Sequence, residues 1–394
     1  MQKSPKYNFS LIIFISLIAC CCADETQVDS QETPSSSDEI NGWYGELPIG
    51  FPKPVVPIES KMTPEKIELG RHLFYDPRLS VNQSQSCSSC HEQHLAFSDG
   101  LKQSLGATGE QTPRNSMALV NIAYNSFYTW ANSSLSHLEA QIVIPLFGES
   151  PIELGLSNIE DQVLAILLAD ERYQRLFNSA YPQVPEPSFN EIVGALAAFC
   201  RSLISGNSNF DRYVYQQQNS LNESALRGLN LFFSEELECH HCHGGFNFSE
   251  ATTHNTGVGL SANIVSPFHN TGLYNIANEG AYPLESQGLF LVTGDPQDMG
   301  KFRAPTLRNI AFTAPYMHDG SIATLEEVIR FYEAGGQNIT EGPNQGDGRI
   351  HPLKSPFVSG FTLSDQERND LIHFLENLSD ESFITNPRYS DPWP

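Results

Sequence analysis

Two short stretches of the chain have side chains at a spacing that can do chemistry: "CSSCH" at 87–91 and "CHHCH" at 239–243. In each, Cys-x-x-Cys is followed directly by a histidine. Two thiols three residues apart can add to the two vinyl groups of one haem, and the next histidine is then held against the iron. Two other readings use the same cysteines. Two Cys-x-x-Cys pairs can supply four thiolates to a zinc ion, and a single pair can cycle as a redox disulfide. Neither gives a reason for a histidine after both pairs, and zinc-binding pairs usually lie closer together. The spacing points to two c-type haems, attached through Cys87 and Cys90 and through Cys239 and Cys242. His91 and His243 are the expected proximal ligands.

Elements must hold these motifs, and the chain repeats them. "TPEKIELGRHLF" (63–74) precedes the first and "NESALRGLNLFF" (222–233) the second. Both read as short helices opened by a Thr or Asn cap, with Gly four residues before Phe (Gly70/Phe74, Gly228/Phe232). Downstream, "NIAYNSFYTW" from Asn121 aligns without a gap with "NIAFTAPYMH" from Asn309, which sets Trp130 opposite His318. Amphipathic helices follow in "LSHLEAQIVIPLF" and "ATLEEVIRFYEAGG". The expected fold is mostly α: two cytochrome c-like domains, 45–218 and 219–394, each wrapping one covalently attached haem.

The repeat lets the far faces of the haems be compared. Tyr332 lies fourteen residues past His318, and Pro145 fifteen past Trp130. If both overlie their haems, the second iron meets a phenol that can ligate it and the first meets a proline that cannot. Tyr332 can equally be a packed aromatic, and Met317 and Met299 are rival ligands for the second iron. Cys200, in "EIVGALAAFCRSLIS", reads as a buried inert thiol. His240 and His241 read as spacers, and His254, His269, His351 and His373 have no assignable task.

The chain has 394 residues, with 22 Lys and Arg against 46 Asp and Glu, a formal charge of −24. Such a surface repels nucleic acid and anionic lipid, and leaves a basic protein partner or a small neutral substrate. Lys3 and Lys6 precede an apolar run, Leu11 to Ala19, too short to be a permanent membrane helix. The run ends in "LIAC", the form of a lipoprotein processing site at Cys20; an ordinary signal peptide is the alternative. Residues 1–20 are then a signal and 21–44 an acidic, Ser-rich tether. The location expected is the periplasm with an outer-membrane lipid anchor, where haem attachment also takes place.

Taken together, "CSSCHEQHLAFSDG", "TPRNSMALVNIAYN", "CHHCH" and "FRAPTLRNIAFTAPYMHDGSIATLEEVIRFY" resemble the bacterial di-haem cytochrome c peroxidase and MauG family, most closely its MbnH-type enzymes. The resemblance covers roughly residues 45–390. It implies that Trp130 matches a tryptophan between the haems through which electrons or holes cross. It implies a calcium ion between the domains, held by the Asn115 side chain and by backbone carbonyls of Thr313 and Pro315. In the family's peroxide pocket a Gln, a Pro and a Glu follow one another, and "QIVIPLFGESPIE" supplies Gln141, Pro145 and Glu153. Two extra residues before the glutamate leave Glu149 as a rival. His318 and Asp319 would pack near a haem propionate or the interdomain surface, and Arg303 and Arg308 would neutralise propionates.

Ordinary peroxidases of the family carry a histidine in the loop before "RN" that blocks the first haem; between His94 and Asn115 this chain has none. They also ligate the second haem through methionine where this chain has Tyr332. Both departures resemble MauG and MbnH. The function implied is a peroxidase-type oxidoreductase that uses hydrogen peroxide to form a high-valent di-haem state and oxidise a partner protein. One such product would be a kynurenine-like residue made from a tryptophan. Two alternatives remain: reduction of peroxide to water with electrons from a small cytochrome or cupredoxin, and a di-haem electron carrier with both irons capped.

Overall fold

The computed structural model describes residues 45–255, 260–261 and 267–394. The expected signal with Lys3, Lys6 and Cys20 and the tether at 21–44 fall outside them. Helices dominate: α1 (Pro64–Phe74), α2 (Leu138–Phe147), α3 (Glu160–Leu168), α4 (Glu171–Ala180), α5 (Phe189–Ser202), α6 (Asn209–Val214), α7 (Glu223–Phe232), α8 (Cys239–Cys242), α9 (Phe290–Thr293), α10 (Leu325–Glu333), α11 (Asp365–Glu376) and α12 (Glu381–Ile384). Strands are two residues long. β1 (Lys53–Pro54) pairs antiparallel with β2 (His254–Asn255), and β2 with β3 (Leu260–Ser261). β4 (Phe268–His269) pairs with β5 (Phe302–Arg303), and β6 (Asn338–Ile339) with β7 (Gly346–Asp347). Among the described residues no helix is long and apolar enough to cross a membrane.

The repeat read in the sequence has a structural counterpart. α1 opens on Thr63, whose hydroxyl accepts from the Lys66 N–H, and α7 on Asn222, whose side chain accepts from Ala225. α1 crosses α5 at Gly70, and α7 crosses α11 at Gly228. A Cβ at Gly70 would lie 1.9 Å from the Ala195 carbonyl oxygen, and one at Gly228 would lie 1.9 Å from that of Asp370. Both glycines let the helix backbones meet where a side chain would hold them apart. Asn121 and Asn309 both adopt left-handed backbone, with φ of 54° and 61°. Each opens a 3-10 turn and donates its N–H to the carbonyl of a leucine just past the closing helix, Leu203 and Leu378 respectively.

Two apolar cores form around these crossings. One gathers Leu69, Phe74, Phe97, Leu196 and Phe199; the other gathers Phe210, Phe232, Phe248, Ile329 and Phe374. The chain ends cross over between them. Phe383 of α12, with Tyr389 and Trp393, packs on the first core. The Trp393 indole N–H donates to the His72 carbonyl, and the Tyr75 hydroxyl to the Tyr389 carbonyl. Asp380 accepts from the N–H groups of Gly206 and Asn207, fixing the start of that return.

Candidate functional site

The first motif forms a 3-10 turn, Cys87–Ser89, and the second forms α8. All four motif cysteines are free thiols, half-buried. Burial pushes the thiols of Cys87 and Cys239 up to about 12 and that of Cys90 up to about 11, so they stand neutral. Among the described residues no cluster of metal-binding side chains joins the two pairs, although Cys242 lies within reach of Glu250 and His269.

Each histidine is oriented by its backbone surroundings. Ala96 and Phe97 both take left-handed backbone (φ 53° and 63°), which brings the Phe97 carbonyl within 2.8 Å of His91 Nδ1. Phe248 (φ 49°) does the same for His243, whose Nδ1 lies 3.3 Å from its carbonyl and 3.1 Å from that of Pro305. Non-glycine residues enter this region at a cost, and the cost recurs at the same place in both halves. Burial holds both imidazoles below their ordinary pKa, so they are neutral. With Nδ1–H donated to a carbonyl, Nε2 is the nitrogen left with a lone pair for a metal.

Around the second motif, Cys239, Cys242, His243, Tyr332, Met317 and Arg303 line one cavity. Tyr332 sits near the end of α10, which Thr324 and Glu327 cap reciprocally. Burial pushes its phenol pKa up, so it stays protonated unless a cation faces it. Met317 shares the cavity; Met299 packs in the neighbouring apolar cluster and does not line it. Arg303 is buried, and its Nε donates to the Thr129 carbonyl. Burial lowers its pKa to about 10, and among the described residues no carboxylate pairs with it. A buried guanidinium without an anion is unfavourable, and a haem propionate would supply the missing charge. Free thiols, spare Nε2, apolar walls and an uncompensated cation therefore fit a haem. Arg308 does not serve in this way, contrary to expectation: it is fully buried in a two-pronged ion pair with Asp211, at 2.9 Å for each contact.

The first site is built from α2 and the loop behind it. Arg201 of α5 donates to both carboxylate oxygens of Glu139, at 2.6 and 2.8 Å, tying α2 to α5. Gln141 and Pro145 lie one turn apart on α2, hence on one face. Gln141 Oε1 is buried without a hydrogen-bond partner. The loop after α2 folds back so that the Leu154 N–H donates to the Pro145 carbonyl, which brings Glu153 beside Pro145. The carboxylate of Glu153 is close enough to Cys87 and Cys90 to raise both thiols, and burial raises its own pKa. Glu149 is exposed.

Trp130 lines the cavity of the second motif. Its indole N–H donates to the Asn115 carbonyl at 2.9 Å, and its own carbonyl accepts from the Arg303 N–H at 2.7 Å. Asn115 in turn accepts nothing from His318 but donates its N–H to that residue's carbonyl at 2.9 Å. Asn115, Thr313, Pro315, Trp130 and His318 all line the second cavity. His318 is stacked on Phe302, centroids 3.6 Å apart, and its Nε2 is buried without a partner. Arg114, which the sequence reading left without a role, sits 5.8 Å from the Phe302 ring with its Nε also unpartnered. Its place beside Asn115 was the only signal for it.

Comparison with known proteins decides the family. The di-haem cytochrome c peroxidase model matches residues 64–219. The methylamine utilization protein MauG of Methylorubrum extorquens is 31% identical over 382 residues, spanning 96% of this chain and 97% of its own. The chain belongs to the di-haem cytochrome c peroxidase family. Membership makes it a peroxidase-type oxidoreductase and implies two c-type haems. Among other family members, the cytochrome-c peroxidase IdrP1 of Denitromonas iodatirespirans is 33% identical over 87% of this chain and 88% of its own. The crystal structure of a MauG-like protein associated with microbial copper homeostasis superposes with a TM-score of 0.85. That protein is 49% identical, and the match covers 89% of this chain and all of that one.

Proposed function

We propose that this family member uses hydrogen peroxide to oxidise a partner protein at a distance, as a MauG- or MbnH-like enzyme. Tyr332 carries the reading: a half-buried phenol lining the cavity of Cys239, Cys242 and His243. A phenol whose pKa burial has raised ionises only beside a cation, and ferric iron is one. Tyrosinate ligation stabilises oxidised iron and suits a site that stores oxidising equivalents.

The two haems, once bound, supply the redox chemistry: iron that takes up oxidising equivalents from peroxide. His91 and His243 would hold them from one side through Nε2, with Cys87, Cys90, Cys239 and Cys242 as the covalent anchors. Burial favours the protonated form of Glu153, which would pass a proton between the peroxide oxygens as acid and then base. Gln141 would orient the peroxide by hydrogen bonding, and Pro145 beside it has no atom that can ligate iron. Trp130, pinned by Asn115 and Arg303, would carry charge between the sites. Asn115, with carbonyls of Thr313 and Pro315, would hold a calcium ion at the same seam.

The same reading divides the chain into cytochrome c-like domains at 45–218 and 219–394, exported and lipid-anchored at Cys20 in the periplasm. The acidic surface suits a basic partner. A tryptophan of that partner, converted to a kynurenine-like product, is the favoured target. The 49% identical relative is associated with microbial copper homeostasis, which supports looking for the partner among copper-handling proteins.

A second reading, peroxide reduction with a small cytochrome or cupredoxin as donor, draws on the relatives named cytochrome-c peroxidase and on Met317 in the same cavity. One experiment separates the two. Peroxide is added to the ferric holoprotein, alone, with the product of the neighbouring gene, and with a reduced small donor. A long-lived change in the haem spectrum that decays as the neighbouring protein gains mass supports partner oxidation. Fast turnover with the donor and no mass change selects peroxide clearance, and no spectral response at all leaves an electron carrier.

A further inference from the structure

The second haem motif carries a cluster that neither haem uses. Glu235, His240 and His241 bring one ligand atom each within 4.8 Å of one another. His240 Nε2 lies 3.5 Å from Glu235 Oε1, and His241 Nε2 lies 3.4 Å from Glu235 Oε2. Charge-assisted hydrogen bonds settle nearer 2.7–2.9 Å. Separations of 3.4–3.5 Å instead match the edge of a tetrahedron, about 3.3 Å, around a metal bonded at 2.0–2.1 Å.

Aromatic packing fixes the two rings. His241 stacks on Phe357 with centroids 4.4 Å apart and planes at 11°, His240 lies 4.3 Å from His241, and Phe233 closes the row at 6.1 Å. Two buried atoms in the cluster have no hydrogen-bond partner, His240 Nδ1 and Glu238 Oε2. Glu238 Oε2 approaches His241 Nε2 to 2.7 Å, yet not in hydrogen-bonding alignment. The Glu235 side chain is 80% exposed, so an ion can reach the cluster from solvent.

We propose that Glu235, His240 and His241 form a surface site for a divalent transition metal of the Cu(II) or Zn(II) class. Imidazole with carboxylate suits these ions, whereas calcium and magnesium prefer all-oxygen sets. The two histidines occupy the positions between Cys239 and Cys242, so a bound ion sits next to the covalent anchor of the second haem.

The test is calorimetric titration of the full-length, haem-loaded protein with Cu(II) and, separately, Zn(II), with EPR of the bound copper. Glu235→Gln and the double variant His240→Gln/His241→Gln are titrated beside it, with haem content and visible spectrum confirming that each is folded. The expected result is one equivalent with nitrogen hyperfine structure in its copper spectrum, weakened tenfold or more in both variants. Which of the two ions binds tighter then fixes the metal. Variants that keep that equivalent at unchanged affinity would overturn the site, as would a wild-type protein that takes up neither ion at micromolar concentration.

Discussion

A single methyl group added at Gly70 or Gly228 meets a backbone oxygen head-on. The new Cβ would stand 1.9 Å from the Ala195 carbonyl oxygen in one case and 1.9 Å from the Asp370 carbonyl oxygen in the other. Even a tight contact needs about 3 Å, so the helices would have to part by roughly 1 Å at their closest point. Overpacking of this kind costs about 1–3 kcal/mol, and a clash with backbone on both crossings belongs at the upper end. The helix gains up to about 1 kcal/mol back, because alanine is the better helix former. A net loss of about 2 kcal/mol lowers the melting temperature by about 3 °C, because the unfolding entropy grows with the length of the ordered chain. Gly194→Ala is the internal control. It sits on the same helix, α5, but its added Cβ meets only the tip of Tyr181, at 2.8 Å, which can swing away. The assay is thermal unfolding of the holoprotein followed at the haem absorbance and by far-UV circular dichroism. Gly70→Ala and Gly228→Ala should lose stability by similar amounts, and Gly194→Ala should not. If the two crossing variants melt at or above the wild-type temperature, the account of the helix crossings is wrong.

Other changes read the site directly. Glu153→Gln should slow the reaction of the ferric protein with peroxide by about 10²–10⁴-fold in stopped-flow absorbance, as expected for loss of a general acid–base, while Glu149→Gln leaves it unchanged. Arg303→Gln removes a buried positive charge beside the second haem, so redox titration should find that haem's midpoint potential shifted to more negative values. Asp370 is held near about 2 by its hydrogen bonds to Arg227, against the cost of burial, with Ser224 and Gln366 helping. Its folded pKa lies below the unfolded one, so its contribution is present above about pH 4 and is lost as the pH falls toward 2. Asp370→Asn should therefore be less stable at neutral pH and show a flatter fall in denaturation midpoint across that acid window.

What the sequence revealed was local. The Cys-x-x-Cys-His spacing needs only five residues to be read. Thr63 and Asn222 announced α1 and α7 because a cap is an interaction over three residues. The repeat placed Gly70 opposite Gly228 before the crossings were known. Long-range pairings were silent. Arg308 looked free for a propionate until Asp211, 97 residues away, was seen to claim it. Residues 383–393 read as part of the second half, yet their aromatic side chains pack on the first core. The sequence pattern favoured Glu153 and left Glu149 as a rival. The hydrogen bond from Leu154 to Pro145 turns one toward the thiols and leaves the other in solvent. Glu235 gave no hint of His240 and His241, because α8 turns two imidazoles toward an exposed loop carboxylate.

The asymmetry of the two irons is tested most directly at Tyr332. Resonance Raman and EPR spectra of the ferric holoprotein should show phenolate bound to one haem. In Tyr332→Phe those features should vanish while the spectrum of the other haem stays as it was. Unaltered second-haem spectra in Tyr332→Phe, together with altered ones in Met317→Leu, would assign that iron to sulfur and contradict the account.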